Sequence, residues 1–395
     1  MTADPKSYWL WLQRALGAGS SKPRRIFQNY GSVREFYEAG REAWLLEGYF
    51  TPKEIANMTV HPLAEAEATL EYARKNGQSV ITPDDGEYPF LLRQIHAWPC
   101  ALFVKGTIPD LSSRPPIAVV GTRKATATGR TAARSIAYEL ARKGSVIVSG
   151  GALGIDTAAH KGALQASGKT ICVLGCGIGA DYLMVNAPLR DVIAQNGALI
   201  SEYPPNTQAM SSNFPIRNRI ISGLAVGTLV VEAAHKSGSL ITANYALEQD
   251  RDVFAVPADI CSPVSQGVNH LIRDGAKPVC CAQDVLEEYQ ERFPDKICLD
   301  GGETDDMIKG NGIPKAGRAE ANPPPKMDLS DDAKAVYAAL TGAPVHLSVI
   351  GGKAKLSASR LLSALTELEL CGAAQSYSGG RYSLPRGHSR NTEFD

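Results

Sequence analysis

The 395-residue sequence lacks net charge, long apolar runs and any cysteine spacing typical of a zinc site. Its 41 Lys and Arg residues balance 41 Asp and Glu residues, which argues against a histone-like nucleic-acid binder. No apolar run approaches the ~20 residues that span a bilayer, and the first residues lack the pattern of a secretory signal. The 8 cysteines are scattered, as is usual in a reducing cytosol. We therefore expect a cytoplasmic protein of two or three domains with no membrane partner.

Residues 1–75 have the spacing of short helices. Apolar residues recur at helical intervals in Trp9–Leu16 and again in Ile26–Tyr30, and the glycine-containing turn 17–23 separates them. This pattern predicts a small helical module of the SAM or helix-hairpin-helix type. Two roles stay open for it: a contact with DNA or protein, and packing without any ligand.

Residues 80–290 alternate short β-rich runs with helical stretches. The predicted strands are Ile117–Val120, Val146–Ser149, Thr170–Leu174, Ala198–Ser201, Thr228–Val231 and Asp252–Val256. Apolar strands joined by crossover helices predict an α/β, Rossmann-like domain, in which helices cover both faces of a mainly parallel sheet. Ligands of such sheets bind beyond the carboxyl ends of the strands.

The C-terminal part divides into a predicted linker and a small domain. Residues 291–327 lose periodicity and end near Pro323-Pro-Pro325, which predicts a flexible linker. In 328–386, Ser330 and Ser357 each precede an apolar-periodic helix, a short helix lies between them, and a hairpin follows. These elements predict a winged-helix module. The pattern leaves open whether its third helix contacts DNA or protein, or serves only as scaffold.

Four loops after the predicted strands are rich in glycine, small polar residues and arginine. They are Val120-Gly-Thr-Arg-Lys124, Ser149-Gly-Gly-Ala152, Asn213-Phe-Pro-Ile-Arg-Asn-Arg219 and Ser237-Gly-Ser239. Glycine lets the backbone approach a ligand, helix N-terminal amides attract anions, and arginine holds phosphate with two N–H groups. The loops therefore predict a phosphate-bearing ligand. Seven basic residues against one acidic residue between Arg114 and Lys143 suit a polyanion.

The residues that we predict to bind this ligand are Gly121, Thr122, Arg123, Lys124, Ser149, Gly150, Gly151, Ala152, Phe214, Arg217, Asn218, Arg219, Ser237 and Ser239. The role of Phe214 has two alternatives. Its ring either stacks on a base of a nucleic acid or fills the core.

The remaining motifs predict no cofactor, metal or catalytic residue. Gly175-Cys-Gly-Ile-Gly-Ala180 fits a dinucleotide-binding pattern with Glu202 downstream, but the next helix is predicted to start near Pro188, too late to face a pyrophosphate. Asp156 and His160 lie four residues apart on one helical face, either as an acid–base pair or as structural residues. The Walker, H-E-x-x-H and G-x-S-x-G motifs are all missing from the sequence.

Taken in order, these segments resemble the DNA-processing protein A family of bacteria (DprA, also called Smf). The resemblance spans about 85–290, and its main segments are Leu102-Phe-Val-Lys-Gly106, Val119-Val-Gly-Thr-Arg123, Ser149-Gly-Gly-Ala-Leu-Gly-Ile-Asp-Thr-Ala-Ala-His160, Phe214-Pro-Ile-Arg-Asn-Arg-Ile-Ile221 and Ser237-Gly-Ser-Leu-Ile-Thr242. The flanking modules also look like optional modules of that family. One departure is Tyr182-Leu183, where the family commonly has Tyr-Pro.

The resemblance implies a single-stranded DNA-binding protein of natural transformation, competence and recombination. Such proteins protect incoming strands and help load the RecA recombinase, usually as homodimers and without enzymatic turnover. The family pattern implies that the loops at Gly121–Arg123, Ser149–Ala152 and Phe214–Arg219 line the DNA pocket. Two alternatives are a Rossmann-like nucleotide phosphoribohydrolase, in which Glu232 would act, and a protein adaptor with a vestigial pocket.

Overall fold

The computed structural model describes residues 3–294, 329–377 and 379–385. Contacts divide the chain into two units, Met1–Ile297 and Cys298–Asp395, and each is described by itself. From position 295 onward, the predicted linker 291–327 lies outside the described residues. Among the described residues, no helix combines the length and the apolar character needed to cross a membrane.

The first unit begins with the predicted helices. These are α1 (Pro5–Leu16), α2 (Pro23–Asn29), α3 (Val33–Leu46), α4 (Pro52–Val60) and α5 (Leu63–Lys75). Thr51 and Glu54 form a capping box at the start of α4, which supplies partners for amides that the helix itself leaves unpaired. The rings of Trp11, Phe36 and Trp44 pack with centroids 5.5–6.2 Å apart. This aromatic cluster belongs to the same hydrophobic core as the following sheet.

A sheet of nine described strands forms the centre of the first unit. The strands are β1 (Ser79–Ile81), β2 (Leu102–Gly106), β3 (Pro116–Val120), β4 (Val146–Ser149), β5 (Lys169–Leu174), β6 (Ala198–Ser201), β7 (Gly227–Val230), β8 (Asp252–Ala255) and β9 (Lys277–Pro278). The helices are α6 (Phe90–Gln94), α7 (Ala127–Arg142), α8 (Ile155–Gln165), α9 (Ala187–Asn196), α10 (Asn213–Gly223), α11 (Gly238–Glu248), α12 (Gln266–Arg273) and α13 (Gln283–Leu286). The predicted α/β class is confirmed, and β3 to β8 match the six predicted strands within one residue at either end.

The strand order is β1-β2-β6-β5-β4-β3-β7-β8-β9. All neighbours from β6 to β9 are parallel, whereas β1 and β2 add an antiparallel edge that the sequence analysis did not predict. Strands β3, β4, β6 and β7 are buried along their whole length, as expected for a sheet covered on both faces.

One predicted loop is in fact a helix. Residues 213–219 form the first two turns of α10. Pro215 lies in the first turn, where a helix needs no backbone N–H partner, so this proline does not break the helix. As a consequence, Arg217 and Arg219 point in different directions.

The N-terminal helices are joined to the sheet through buried Gln13. Its Oε1 accepts a hydrogen bond from the Ala101 amide at 2.6 Å, and its Nε2 donates to the carbonyl of Glu202. Trp9 Nε1 also donates to Asp84 Oδ2 at 2.7 Å. Helix α1 is therefore attached to both the antiparallel edge of the sheet and the end of β6.

The second unit has the predicted three helices and terminal hairpin. Its elements are α14 (Asp331–Ala339), β10 (Val345–His346), α15 (Leu347–Ala354), α16 (Ala358–Leu370), β11 (Gln375–Tyr377) and β12 (Arg381–Ser383), with the antiparallel order β10-β12-β11. The winged-helix prediction is confirmed. Arg360, in the first turn of α16, forms a two-pronged ion pair with Asp332 at 2.5 and 2.7 Å. The charge of this arginine is thus already paired within the unit.

We predict that Gln13→Leu destabilises the first unit. Leucine fills a similar volume but leaves the Ala101 amide and the Glu202 carbonyl buried without a partner, at about 1–3 kcal/mol for each group. Denaturant unfolding measures the change in free energy. Gln28→Leu makes the same substitution at an exposed position of α2 and is the matched control. Equal stability of the two variants would contradict the role assigned to Gln13.

Candidate functional site

A cavity of about 470 Å³ lies at the carboxyl ends of β3 and β7. The strand order reverses here, because β4 to β6 extend on one side of β3 and β7 to β9 on the other. Parallel sheets bind ligands at such a reversal, where the strand-end loops diverge and leave a crevice. Ten of the predicted residues line the cavity: Gly121, Thr122, Arg123, Lys124, Ala152, Phe214, Arg217, Asn218, Ser237 and Ser239.

A larger cavity, about 750 Å³, lies beside β1 and β2. Its wall holds one basic side chain, Arg292, together with the acidic Glu87 and Asp110. Because this mixture does not favour a polyanion, the cavity at the strand reversal is the better candidate for the predicted ligand.

The loop after β3 places two exposed cations at the mouth of the site. A side chain at Gly121 would put its Cβ 2.5 Å from Ile155 Cγ1, so only glycine lets the loop pass this close to α8. Thr122 donates its amide to the Glu232 carbonyl at 2.8 Å, and its Oγ1 accepts from the Lys124 amide at 3.2 Å. These bonds fix the loop while Arg123 and Lys124 remain exposed.

An aromatic and cationic stack forms one wall of the cavity. The guanidinium carbon of Arg123 lies 4.9 Å from the centroid of the Phe214 ring, and that of Arg217 lies 5.8 Å from it. The Tyr182 ring also contacts Phe214, with centroids 5.3 Å apart and planes tilted by 36°. Phe214 is half-buried and lines the cavity. Tyr182 was not predicted, since nothing in its own segment signals that it meets α10.

Arg217 is a buried component of the wall. Its Nη1 donates to the Gly150 carbonyl at 2.7 Å and to the Val173 carbonyl, and its Nε donates to Asn218 Oδ1 at 3.2 Å. Burial lowers the pKa of its guanidinium from the ordinary value. Arg217 therefore ties α10 to the ends of β4 and β5, in addition to facing the cavity.

The turn after β4 differs from the prediction. Ser149, Gly150 and Gly151 do not line the cavity. Ser149 is buried, and its Oγ donates to the Val119 carbonyl at 2.6 Å. The Ala152 amide donates to Asp156 Oδ2 at 3.3 Å. The chain's own carboxylate thus occupies the position beside the turn where a phosphate was expected.

Asp156 lies in the wall of the cavity although it is almost fully buried. Burial raises the pKa of its carboxyl to about 6, while Arg217 and the backbone amides of Ala152 and Gly150 act in the opposite direction. His160 does not pair with it. The His160 ring is in the core with Nδ1 2.8 Å from Thr170 Oγ1, and burial lowers its pKa to about 3. The two residues do not form an acid–base pair.

Arg219 is the other predicted residue that the cavity does not include. It is buried on the opposite side of α10, where its Nη2 donates to Glu202 Oε1 at 2.6 Å. Glu202 is therefore an ion-pair partner and not a ribose-binding acid. The glycine-rich loop before it is followed by a single 3₁₀ turn, Met184–Asn186, and α9 begins only at Ala187, in agreement with the late start expected near Pro188.

The loop after β7 supplies another wall of the cavity. Ser237 caps α11, accepting from the Ser239 amide at 3.4 Å, and Asn218 reaches across to the Gly238 carbonyl at 3.2 Å. Exposed Lys236 also lines the cavity. The N-terminus of α11 therefore opens on the cavity beside a cation.

Glu232 has a structural partner. Its Oε2 accepts from the Thr126 amide at 2.9 Å, at the start of α7, and its side chain does not line the cavity. A carboxylate in this position stabilises the positive end of the helix. This placement gives no geometric support to the hydrolase alternative, which required Glu232 to face a bound nucleotide.

Comparison with known proteins gives consistent matches. The family model described as DNA recombination-mediator protein A matches residues 79–290, and that of the DprA winged helix domain matches 320–380. Protein Smf of Synechocystis is 32% identical over 97% of this chain and 99% of its own length. The DNA processing protein DprA of Bacillus subtilis is 45% identical over 55% of this chain and 74% of its own. A crystal structure of DprA from Streptococcus pneumoniae, 35% identical, covers 73% of this chain and 99% of its own with a TM-score of 0.63.

We predict that Asp156→Asn changes the pH dependence of stability. The folded-state pKa of Asp156, about 6, exceeds its ordinary value of 3.8, so the folded protein binds its proton more tightly than the unfolded chain does. The wild-type protein therefore loses stability relative to the variant as the pH rises from about 4 to about 6, and loses no more above about pH 6. The pKa difference corresponds to about 3 kcal/mol. Denaturant unfolding between pH 4 and 8 measures it. Asp191→Asn, at an exposed carboxylate of α9, controls for net charge. If the difference in unfolding free energy between wild type and Asp156→Asn stays constant from pH 4 to pH 8, the raised pKa of Asp156 is wrong.

Proposed function

Because the chain belongs to the DNA recombination-mediator protein A (DprA/Smf) family, we propose that it binds single-stranded DNA in the cavity at the strand reversal. The observation that carries the proposal is the Phe214 ring under the Arg123 guanidinium, 4.9 Å away, beside exposed Lys124 and Lys236. An aromatic ring among cations is the arrangement that binds unpaired nucleotides, since rings stack on bases and cations attract phosphates.

The dimensions of the cavity favour a single strand over a duplex. Its volume of about 470 Å³ is that of a site for a small molecule, so it accommodates a base with its sugar and phosphate but not a paired helix. In a duplex both faces of each base are already stacked, and Phe214 would have no free face to contact. We propose that the strand is held mainly through its backbone and by stacking, with little reading of sequence.

The proposal extends to recombination. We propose that the bound strand is protected during natural transformation and delivered to the RecA recombinase in the cytoplasm, by a chain that acts as a homodimer and without turning over a substrate. Family membership supports this part of the proposal, through the description of the family as a recombination mediator. The test is whether the full chain accelerates RecA filament assembly on single strands coated with single-strand-binding protein.

We predict that Arg123→Ala weakens binding to single-stranded DNA of every sequence. The loss of a hydrogen bond to a charged phosphate costs about 1.5–3 kcal/mol, and the slope of log K against log salt becomes shallower by about 0.7. A salt titration with fluorescent oligonucleotides measures both. Arg114→Ala is the matched control, because exposed Arg114 precedes the amino end of β3, whereas the cavity lies at its carboxyl end. If the two variants bind equally well, the proposed site is wrong.

We predict a different signature for Phe214→Leu. Removing a ring that stacks on a base costs about 1–3 kcal/mol of binding free energy, but no phosphate contact is lost, so the salt slope stays unchanged. The same titration measures the effect. A variant that binds like wild type would show that Phe214 belongs to the core alone.

A further inference from the structure

Helix α10 faces two different parts of the first unit. Phe214, Arg217 and Asn218 face the cavity, whereas Ile216 and Arg219 face the N-terminal helices. Arg219 forms its ion pair with Glu202 at 2.6 Å, and the side chains of both are at most 4% exposed. The helix that carries one wall of the DNA site is therefore fixed from behind by a buried charge pair.

The N-terminal helices contribute directly to this contact. The Gly19 amide, in the turn between α1 and α2, donates to Glu202 Oε1 at 3.3 Å. The Gly19 backbone has φ +82°, and a Cβ there would lie 2.8 Å from Ile216 Cγ2. Gln13, near the end of α1, donates to the Glu202 carbonyl. The turn thus packs against α10 with no space for a side chain.

The charge pair is better suited to positioning than to stabilising. Glu202 Oε2 and Arg219 Nε are both buried without a hydrogen-bond partner among the described residues. A buried ion pair with unsatisfied atoms recovers its desolvation cost poorly, and apolar residues of similar volume often stabilise a fold as well. Here, a displacement of α10 would separate Arg219 from Glu202 and leave two buried charges unpaired, so the pair favours one placement of the helix.

We propose that the N-terminal helices position α10 through the Glu202–Arg219 pair and the Gly19 contact, and that Arg219 is a positioning residue for the DNA site. This inference rests on the proposed function, since it concerns the same site. It assigns Arg219 no contact with DNA. It also assigns the N-terminal module a role in binding that requires no ligand of its own.

A matched pair of glycine variants tests the proposal in the full-length chain. Gly17 and Gly19 lie in the same turn with φ +80° and +82°, but a Cβ at Gly17 would meet nothing within 4 Å. Gly17→Ala and Gly19→Ala both place an alanine at a positive φ, but only the second brings a Cβ against α10. We expect Gly19→Ala to raise the Kd for a single-stranded oligonucleotide about tenfold, a size typical of coupling between contacting residues. We expect Gly17→Ala to leave the Kd unchanged. Equal Kd values for the two would overturn the proposal.

Charge variants distinguish positioning from contact and from general destabilisation. We expect Arg219→Lys and Glu202→Gln each to raise the Kd with an unchanged salt slope. We expect the Kd of the double variant to be no higher than that of either single variant, because both substitutions break the same ion pair. Phe36→Leu, within the aromatic cluster of the module, should lower the unfolding temperature and leave the Kd unchanged. A shallower salt slope for Arg219→Lys would show that Arg219 binds phosphate and would overturn the inference.

The same series separates failure of this inference from failure of the proposed function. If Arg123→Ala weakens binding and the Gly19, Glu202 and Arg219 variants bind like wild type, the DNA site stands and the positioning role is wrong. If Arg123→Ala also binds like wild type, the site itself is wrong and the positioning role falls with it.

Discussion

The pairing of β3 with β4 on one side and β7 on the other is the constraint on which the candidate site depends. Because both pairings are parallel, the loops that leave β3 and β7 emerge at the same edge and diverge toward opposite ends of the sheet. Helix α10 leads into β7 and closes the third side. Segments that lie far apart in the sequence, such as the loops at Arg123 and Lys236, therefore meet in one crevice.

Two of the structural features that ordinarily attract phosphate at this edge are occupied by the chain's own carboxylates. Asp156 accepts from the turn after β4, and Glu232 accepts at the start of α7. The attraction for a polyanion consequently comes from exposed side chains at the mouth and from the N-terminus of α11. Solvated charges of this kind are screened by salt, so the proposed binding of a strand would be reversible and salt-dependent. Although the chain has zero net charge, Arg123, Lys124 and Lys236 place cations together at this cavity.

The sequence predicted the sheet well and the site in part, for different physical reasons. Buried central strands appear as short apolar runs between turn residues, so β3 to β8 could be recognised without any long-range information. Residues 213–219 were predicted as a loop after a strand, whereas they begin α10, whose first turn tolerates Pro215. Since successive helical residues are separated by 100°, a helix there would have shown that Arg217 and Arg219 face opposite sides. The contact between Tyr182 and Phe214 joins two segments and leaves no trace in either one.

The boundary between the N-terminal helices and the sheet follows a change of sequence pattern, but it does not divide the hydrophobic core. Trp9 and Trp11 belong to the same buried cluster as Phe103 and Ile220, and the Gln13 side chain completes the hydrogen bonding of two backbone groups beyond the boundary. Removal of the helices would expose this apolar surface and leave the Glu202–Arg219 pair facing water. A change of sequence pattern marks where the type of structure changes, whereas cooperative units are defined by shared burial. In this chain, shared burial joins the helical module to the candidate site, and α10 is the element through which they meet.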